Sequence, residues 1–173
     1  MMAMLKTCLL LFIVFSMGNS ADEHDHGIIN GKSCLAGWRS FGLGCYKYFS
    51  DASNWITAER NCQSHGANLA SVRNKAENDF LLSLLPSPST RTWIGAHDAV
   101  QDGQWLWSDG SVFSYTNWCS GEPNNYQQRP ENCLDISFSA DRCWNDESCL
   151  TSLSYICVED MCDCVGPRAA RRV

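Results

Sequence analysis

Cysteine is the residue that most constrains the fold of this chain, because eleven of its 173 residues are cysteines. Cys8 lies in an apolar run near the N-terminus, and the other ten form an even set. Most of these ten are scattered singly, which is typical of disulfides in an exported protein, whereas a structural zinc site needs closely paired cysteines. The sequence therefore predicts a disulfide-stapled domain that folds in an oxidising compartment.

The first twenty residues have the pattern of a secretory signal peptide. A short cationic lead precedes the apolar run TCLLLFIVFSM, and small and polar residues follow it before Ala21. The run is short for a helix that crosses a bilayer, so a signal anchor is the weaker alternative. We expect residues 1–20 to be removed, residues 21–33 to form a polar leader, residues 34–159 to form one domain and residues 160–173 to form a tail. The predicted protein is secreted, with no membrane insertion.

Charge and histidine placement argue against two classes of function. The formal net charge of −6 is unfavourable for binding nucleic acid or an anionic membrane. His65 and His97 have no serine or cysteine partner in a recognisable pattern, since the cysteines are expected in disulfides. We therefore expect neither a nucleic-acid-binding protein nor an enzyme.

Apolar periodicity predicts a first helix in DASNWITAERNCQSHG. Ser53 is the expected N-cap, and Gly66 is the expected stop. Three residues share one face at helical spacing: Trp55, Ala58 and Cys62.

A second helix is predicted in RNKAENDFLLSLLPSPS. Asn74 followed three residues later by Glu77 resembles a capping box, and Pro86 ends the pattern. The expected apolar stripe consists of Phe80, Leu81, Leu84 and Leu85.

The rest of the domain has the pattern of short strands around one long loop. A hairpin between Cys34 and Cys45 is predicted first, and the later strands are expected in TWIGAH, WLWSDG, CLDISF and SYICVE. Between them, residues 110–132 have no regular pattern, and a loop of that length in a small domain is usually functional. Four tryptophans are expected to pack in the core and against the loop: Trp105, Trp107, Trp118 and Trp144.

The stretch GEPNNYQQRPENCLDI, Gly121–Ile136, places many carboxylate and amide oxygens in that loop region. Buried oxygens need partners, and a hard cation can satisfy several of them at once. The alternative is a loop whose polar side chains are simply solvated.

Taken in order, GCYKYF, WITAERNC, TWIGAHD, WLWSDG, NWCSGEPNN, ENCLDI, CWND and SYIC resemble the C-type lectin domain from Cys34 to about Glu159. The short form with an acidic leader is most similar to small fish lectins, a group that includes some antifreeze proteins. The resemblance implies an α+β fold in which two helices flank antiparallel strands and a long loop region binds calcium and sugar. It also implies three disulfides: Cys34–Cys45, Cys62–Cys157 and Cys133–Cys149.

The resemblance also implies the residues of a calcium- and sugar-binding site, with a cis peptide bond before Pro123. The expected ligands of this primary calcium, which are also the expected sugar-binding residues, are Glu122, Asn124, Glu131, Asn145 and Asp146. An auxiliary calcium site would use Glu131 together with Asp98, Asp102, Asn125 and Asn132. Because amides stand at two positions where the family has carboxylates, we expect the auxiliary site to be weak or empty.

The expected function is calcium-dependent binding of glycans, with a role in innate defence at microbial surfaces. In this family EPN suits mannose-type sugars, and QPD would indicate galactose. The alternative is an ice-binding protein on the same fold, although the sequence contains no regular threonine array.

Four cysteines lie outside the pairs that the resemblance implies. Cys119 and Cys143 each precede one half of the proposed cation site, so we predict that they pair, either to order that site or as a purely structural bridge. Cys162 and Cys164 are too close together to pair easily with each other. We expect them to link chains into a disulfide-bonded homo-oligomer, against the alternatives that the tail is trimmed or its thiols are capped.

Overall fold

Two α-helices, eight strands and one 3₁₀ turn (Tyr126–Gln128) make up the regular structure of residues 33–161, the part of the chain that the computed structural model describes. The strands are β1 (Arg39–Phe41), β2 (Gly44–Ser53), β3 (Asn68–Leu69), β4 (Thr92–His97), β5 (Leu106–Trp107), β6 (Cys133–Ile136), β7 (Asn145–Glu147) and β8 (Leu153–Asp160); the helices are α1 (Trp55–Ser64) and α2 (Lys75–Ser83). The predicted signal peptide, nearly all of the leader, and Cys162 and Cys164 in the tail lie outside the described residues. Within residues 33–161, no helix is both long enough and apolar enough to cross a membrane.

All eight strands belong to one sheet, whose main path is β1-β2-β8-β4-β6-β7. β3 pairs with β8, and β5 pairs with β4. Every pairing is antiparallel except that of β4 with β8. The α+β fold with two helices and largely antiparallel strands is as predicted, and the path leaves β6 and β7 side by side below the long loop.

Helix α1 lies where the sequence predicts it, but it begins differently. Asn54 caps it by accepting a hydrogen bond from the Thr57 amide at 2.9 Å, whereas Ser53 is the last residue of β2. The prediction of Ser53 as the cap was therefore wrong by one residue, since both side chains can cap. The predicted face is buried, and Gly66 adopts a φ of 75° after the helix end.

Helix α2 begins at the predicted cap, where Asn74 accepts from the Glu77 amide at 3.0 Å. The Glu77 carboxylate turns back to the Arg73 amide at 2.7 Å. The buried stripe differs from the prediction, because Leu82 is buried whereas Phe80 and Leu84 are only partly buried.

The core lies between the sheet and the helices, and the loop region packs its aromatics onto it. Trp107 and Trp144 are buried, and Trp105 and Trp118 pack against the same cluster. Trp118 and Trp144 also form an isolated β-bridge. The expectation that these four tryptophans are packing residues is confirmed.

Four disulfides hold the described residues together: Cys34–Cys45, Cys62–Cys157, Cys119–Cys143 and Cys133–Cys149. All four match the predicted pairs. They fit an oxidising, extracellular compartment.

Candidate functional site

The EPN segment is held against β7 by a single carboxylate. The Glu122–Pro123 peptide bond is cis, as predicted. Beyond it, the Asn124 amide donates to both oxygens of Asp146 at 3.0 Å, and the Asn125 amide donates to Oδ2 at 2.8 Å. Asp146 is buried on a strand, so it anchors the irregular loop to the rigid sheet.

β7 positions the other half of the predicted set. Asn145 pairs in register with Asp135 of β6, and Asp146 pairs with Leu134. The Asn145 side-chain Nδ2 donates to Asp135 Oδ2 at 3.2 Å and also to the main-chain oxygen of Asp146. The side chains of Asn145 and Asp146 are thus fixed by protein contacts on the rigid sheet.

Glu131 closes the loop from its far side. Its Oε2 accepts from the Tyr126 amide at 2.6 Å, and its own amide donates to Asn125 Oδ1 at 2.9 Å. Asn125, Gln127 and Gln128 all have positive φ values, so the segment between EPN and Glu131 is tightly wound. The structure thereby brings Glu131 back toward the EPN segment across a six-residue excursion.

Negative charge is crowded in this region. Burial, together with the carboxylates of Asp146, Glu131 and Asp135, raises the pKa of Glu122 to about 7. Burial is also the main cause of the raised pKa of Glu131. The Glu122 Oε2 atom is buried and has no hydrogen-bond partner among the described residues. Such an orphaned oxygen among several acids is an environment that a cation would stabilise.

The donor set has the chemistry of a calcium site, since it offers three carboxylates and two amide carbonyls. Among residues 33–161, however, no group of three or more His, Cys, Asp or Glu side chains is arranged to hold a metal ion. The carboxylates of Asp146 and Glu131 instead accept hydrogen bonds from main-chain amides. The residues fit the ion by chemistry and charge.

The predicted auxiliary residues form a different arrangement. The Asn132 Nδ2 donates to Asp98 Oδ1 at 2.9 Å, and the Asn125 Nδ2 donates to Asp102 Oδ1 at 2.9 Å. Asp98 also accepts from the Gly103 amide at 2.7 Å. Each of the two side-chain amides therefore donates a hydrogen bond to the carboxylate that it faces. These two hydrogen bonds tie the long loop to the β4–β5 connection. An open depression of about 380 Å³ is lined by Asp102, Asn125 and Asn132 among others.

Three residues below the site were missed by the sequence analysis. Arg91, just before β4, donates to Asp135 through Nε at 3.0 Å and through Nη2 at 2.6 Å, and also to Glu147 at 3.0 Å. Asp135 is fully buried, and burial raises its pKa to about 6 although Arg91 and Asn145 act to lower it. The available signal was the acid of CLDI, since a charge inside a buried strand requires a partner.

The fold and the loop geometry define a class of protein, the C-type lectin-like domains, and comparison with known proteins places the chain there. Residues 51–159 match the family model for the lectin C-type domain. The chain belongs to this family.

Among its relatives, ladderlectin of Oncorhynchus mykiss is 45% identical over 131 residues, which cover 74% of this chain and 68% of ladderlectin. The galactose-specific lectin nattectin of Thalassophryne nattereri is 34% identical over 154 residues, which cover 87% of this chain and 94% of nattectin. Among solved structures, a calcium-independent type II antifreeze protein superposes with a TM-score of 0.68 at 30% identity, covering 79% of this chain and 98% of that protein. The similarity to small fish lectins and antifreeze proteins is confirmed, and these relatives are binding proteins rather than enzymes. The family commonly binds calcium, yet the antifreeze structure shows that membership alone does not establish it.

Proposed function

We propose that this protein is a secreted lectin that binds carbohydrate at the EPN loop with the help of calcium. What carries the proposal is the meeting of two segments of a lectin-family chain. Directly after the cis Glu122–Pro123 bond, the Asn124 amide donates to Asp146 of β7. The buried, unpartnered Oε2 of Glu122 adds an unsatisfied acceptor at that point.

The calcium would be held by Glu122, Asn124, Glu131, Asn145 and Asp146. When bound, such an ion offers coordination positions to two neighbouring sugar hydroxyls. The side chains of Glu122 and Glu131 accept hydrogen bonds from those hydroxyls, and the side-chain NH₂ group of exposed Asn124 donates one. Asp146 keeps the loop in place through the main-chain amides of Asn124 and Asn125.

The auxiliary set is proposed to hold no calcium under ordinary conditions. Asp98 and Asp102 are already hydrogen-bonded to the amides of Asn132 and Asn125. Because Asn125 and Asn132 stand where two further carboxylates would be, this set attracts a divalent cation less strongly.

We further propose a preference for mannose-type sugars, which rests on the EPN motif. Nattectin has the printed name of a galactose-specific lectin, so galactose is the informative competitor. Elution by galactose but not by mannose would overturn the proposed preference while leaving the calcium site intact.

The decisive experiment is retention of the mature protein on immobilised mannose in calcium. We expect retention, elution by a chelator, and loss of retention in Glu122→Ala/Asn124→Ala. Asp79→Ala is the matched control, because that exposed carboxylate on α2 has its ion pair with Lys75 and lies outside the proposed set. Retention that persists in chelator or in the double variant would refute the mechanism.

Ice binding is the second candidate, and the structural similarity to a type II antifreeze protein favours it specifically. Thermal hysteresis of the purified protein separates the two functions. A hysteresis gap without retention on mannose or galactose would identify an ice-binding protein.

The biological setting that we propose is extracellular defence, with glycans of microbial surfaces as partners. One calcium-bridged sugar binds weakly, and linking sites can raise avidity by about 10² to 10⁴. We propose that Cys162 or Cys164 provides this link between chains. A non-reducing gel of the secreted protein should show a ladder that collapses on reduction and is absent in Cys162→Ser/Cys164→Ser; a single monomer band would refute the linkage.

A further inference from the structure

A buried ion pair lies directly beneath the proposed sugar site. Asp135 of β6 is fully buried, and Arg91 meets both of its oxygens, through Nε at 3.0 Å and Nη2 at 2.6 Å. The same guanidinium binds Glu147 at 3.0 Å and lies 4.9 Å from the ring centre of Phe138. Buried pairs of this kind add little net stability compared with apolar residues of similar volume, so stability alone does not account for this one.

Asp135 has a third contact, and it reaches the site. Its Oδ2 accepts from Asn145 Nδ2 at 3.2 Å, while the main-chain oxygen of Asp146 accepts from the same Nδ2. An asparagine side chain has only two N–H donors. Both are therefore used inside the protein, and among the described residues nothing donates to Asn145 Oδ1.

Fixing the nitrogen of a planar amide also fixes its carbonyl. We propose that Arg91 and Asp135 are positioning residues that hold Asn145 so that it presents the site with its carbonyl oxygen and no hydrogen-bond donor. The inference rests on the proposed function and makes it more specific. Asn145 would serve the cation alone, and donation to a sugar hydroxyl would come from Asn124.

Arg91 fits this role because its fork holds both carboxylate oxygens in one plane. A lysine keeps the charge but makes only a point contact, so it holds the plane of Asp135 less firmly. The series wild type, Arg91→Lys and Arg91→Met should therefore lose order at Asn145 stepwise.

The first test needs no metal. In chelator, the side-chain NH₂ protons of Asn145 should exchange with solvent at least about tenfold more slowly than those of exposed Asn124, because hydrogen-bonded protons exchange only on local opening. NMR of ¹⁵N-labelled protein measures both side chains in one sample, with Asn145→Ser used for assignment. Equal exchange rates at the two positions would overturn the inference, whatever the protein binds.

The second test measures calcium alone by titration calorimetry. Loss of a partner that orients a metal ligand commonly lowers affinity by about 10- to 100-fold, and we expect this for Asp135→Asn and Arg91→Met, with Arg91→Lys in between. Glu77→Gln is the matched control, because Glu77 is also buried and bonded to an arginine, Arg73, but lies on α2. It should lose stability without losing calcium affinity.

The outcomes distinguish failure of the calcium proposal from failure of the positioning role of Arg91 and Asp135. If wild-type protein binds no calcium while the Asn145 protons are protected, the calcium proposal fails and the positioning of Asn145 stands. If wild type binds calcium and folded Asp135→Asn or Arg91→Lys binds it equally well, the positioning role fails and the lectin proposal stands.

Discussion

At the scale of single residues, Asp146 shows how one side chain serves both fold and site. It is 1% exposed, and the N–H donors of Asn124 and Asn125 surround its carboxylate. Hydrogen bonds to a charged acceptor contribute about 1.5 to 3 kcal/mol each, so a loop with little regular structure is still well anchored. The same carboxylate crowds Glu122, which connects loop stability directly to the electrostatics of the site.

The crowding predicts that Glu122→Gln stabilises the protein in chelator. Because the pKa of Glu122 is raised to about 7, the folded state resists ionisation of this group. The folded state therefore loses stability as the pH rises from 4.5, the ordinary pKa of a glutamate, toward 7. Glutamine keeps the shape without the charge, so above pH 7 the variant should melt higher than wild type. In calcium the order should reverse, since the variant lacks a ligand carboxylate.

Thermal melts in chelator and in calcium check this prediction. Asp79→Asn, an exposed position on α2, controls for the general effect of removing one negative charge. A lower melting temperature for Glu122→Gln in chelator would contradict the charge-crowding argument.

Tyr46 gives a second prediction, for alkaline pH. It is 1% exposed in the core, and burial, assisted by Glu77 and opposed by Arg73, raises its pKa from 10.0 to about 12. Below pH 10 the hydroxyl is protonated in both states; between the two values only the unfolded state ionises, so stability falls as pH rises. The loss over this window is about 2 to 3 kcal/mol.

Urea unfolding at a series of alkaline pH values measures this loss. Tyr46→Phe should be less stable near neutrality, because it lacks the contact with Arg73, but its stability should fall less between pH 10 and 12. Parallel pH profiles for wild type and variant would show that Tyr46 ionises normally.

At the scale of elements, two amide–carboxylate contacts attach the long loop to the β4–β5 connection. Asn125 and Asn132 reach Asp102 and Asp98 across the β4–β5 connection. We predict that wild type binds one calcium and that Asn125→Asp/Asn132→Asp binds two, because the double change adds two carboxylates to those of Asp98, Asp102 and Glu131.

Calorimetric stoichiometry decides this prediction. In chelator, the double variant should also be less stable, as two amide–carboxylate bonds become like-charge contacts. Asn117→Asp, which adds a charge elsewhere in the same loop region, should change neither quantity appreciably. Two calcium ions bound by wild type would show that the amide bridges open for a second metal.

The Cys119–Cys143 disulfide joins the two loop segments that carry the proposed ligands. The Cys119 main-chain amide also donates a hydrogen bond to the Trp144 carbonyl at 2.9 Å, so contacts other than the disulfide also hold the two segments side by side. We predict that Cys119→Ser/Cys143→Ser lowers calcium affinity by raising the ordering cost of binding. Undiminished affinity in a folded double variant would favour a purely structural bridge.

The elements that could be predicted are those whose signal is local. β4 and β6 are apolar runs, and Asn74 with Glu77 marks the start of α2. β3 and β7 have two and three residues, too few for a periodic pattern, and long-range pairing with β8 and β6 defines them. The pairing of β4 with β8 is likewise set by packing across the domain.

Candidate site residues follow the same division. The proposed ligand motifs could be found in the sequence, because calcium would restrict the residue types at those positions. The hydrogen bonds that support these motifs could not be predicted from the sequence. Arg91 and Asp135, for example, are 44 positions apart and meet only when β4 pairs with β6. The contact of the Glu131 carboxylate with the Tyr126 amide likewise depends on the tightly wound segment before Glu131.

At the scale of the whole molecule, the disulfides divide the stabilisation unequally. Cys62–Cys157 joins α1 to the last strand across 95 residues, whereas Cys34–Cys45 spans 11. On the chain-entropy model a bond contributes more as the loop that it closes grows, so these two are worth about 4.7 and about 2.8 kcal/mol. With a typical total stability of about 5 to 15 kcal/mol, loss of the longer bond would remove between about a third and nearly all of it.

We therefore predict that Cys62→Ala/Cys157→Ala lowers the free energy of unfolding by about 2 kcal/mol more than Cys34→Ala/Cys45→Ala. Both pairs are changed to alanine so that no hydroxyl is introduced at Cys62 and Cys157, which are fully buried. Urea denaturation at one temperature, in chelator, keeps metal binding out of the comparison. Equal losses, or a larger loss for the short loop, would show that residual structure in the unfolded chain outweighs loop length. The predicted order would instead mean that loop length governs the effect, so that the bond between α1 and β8 stabilises the domain more than the N-terminal bond does.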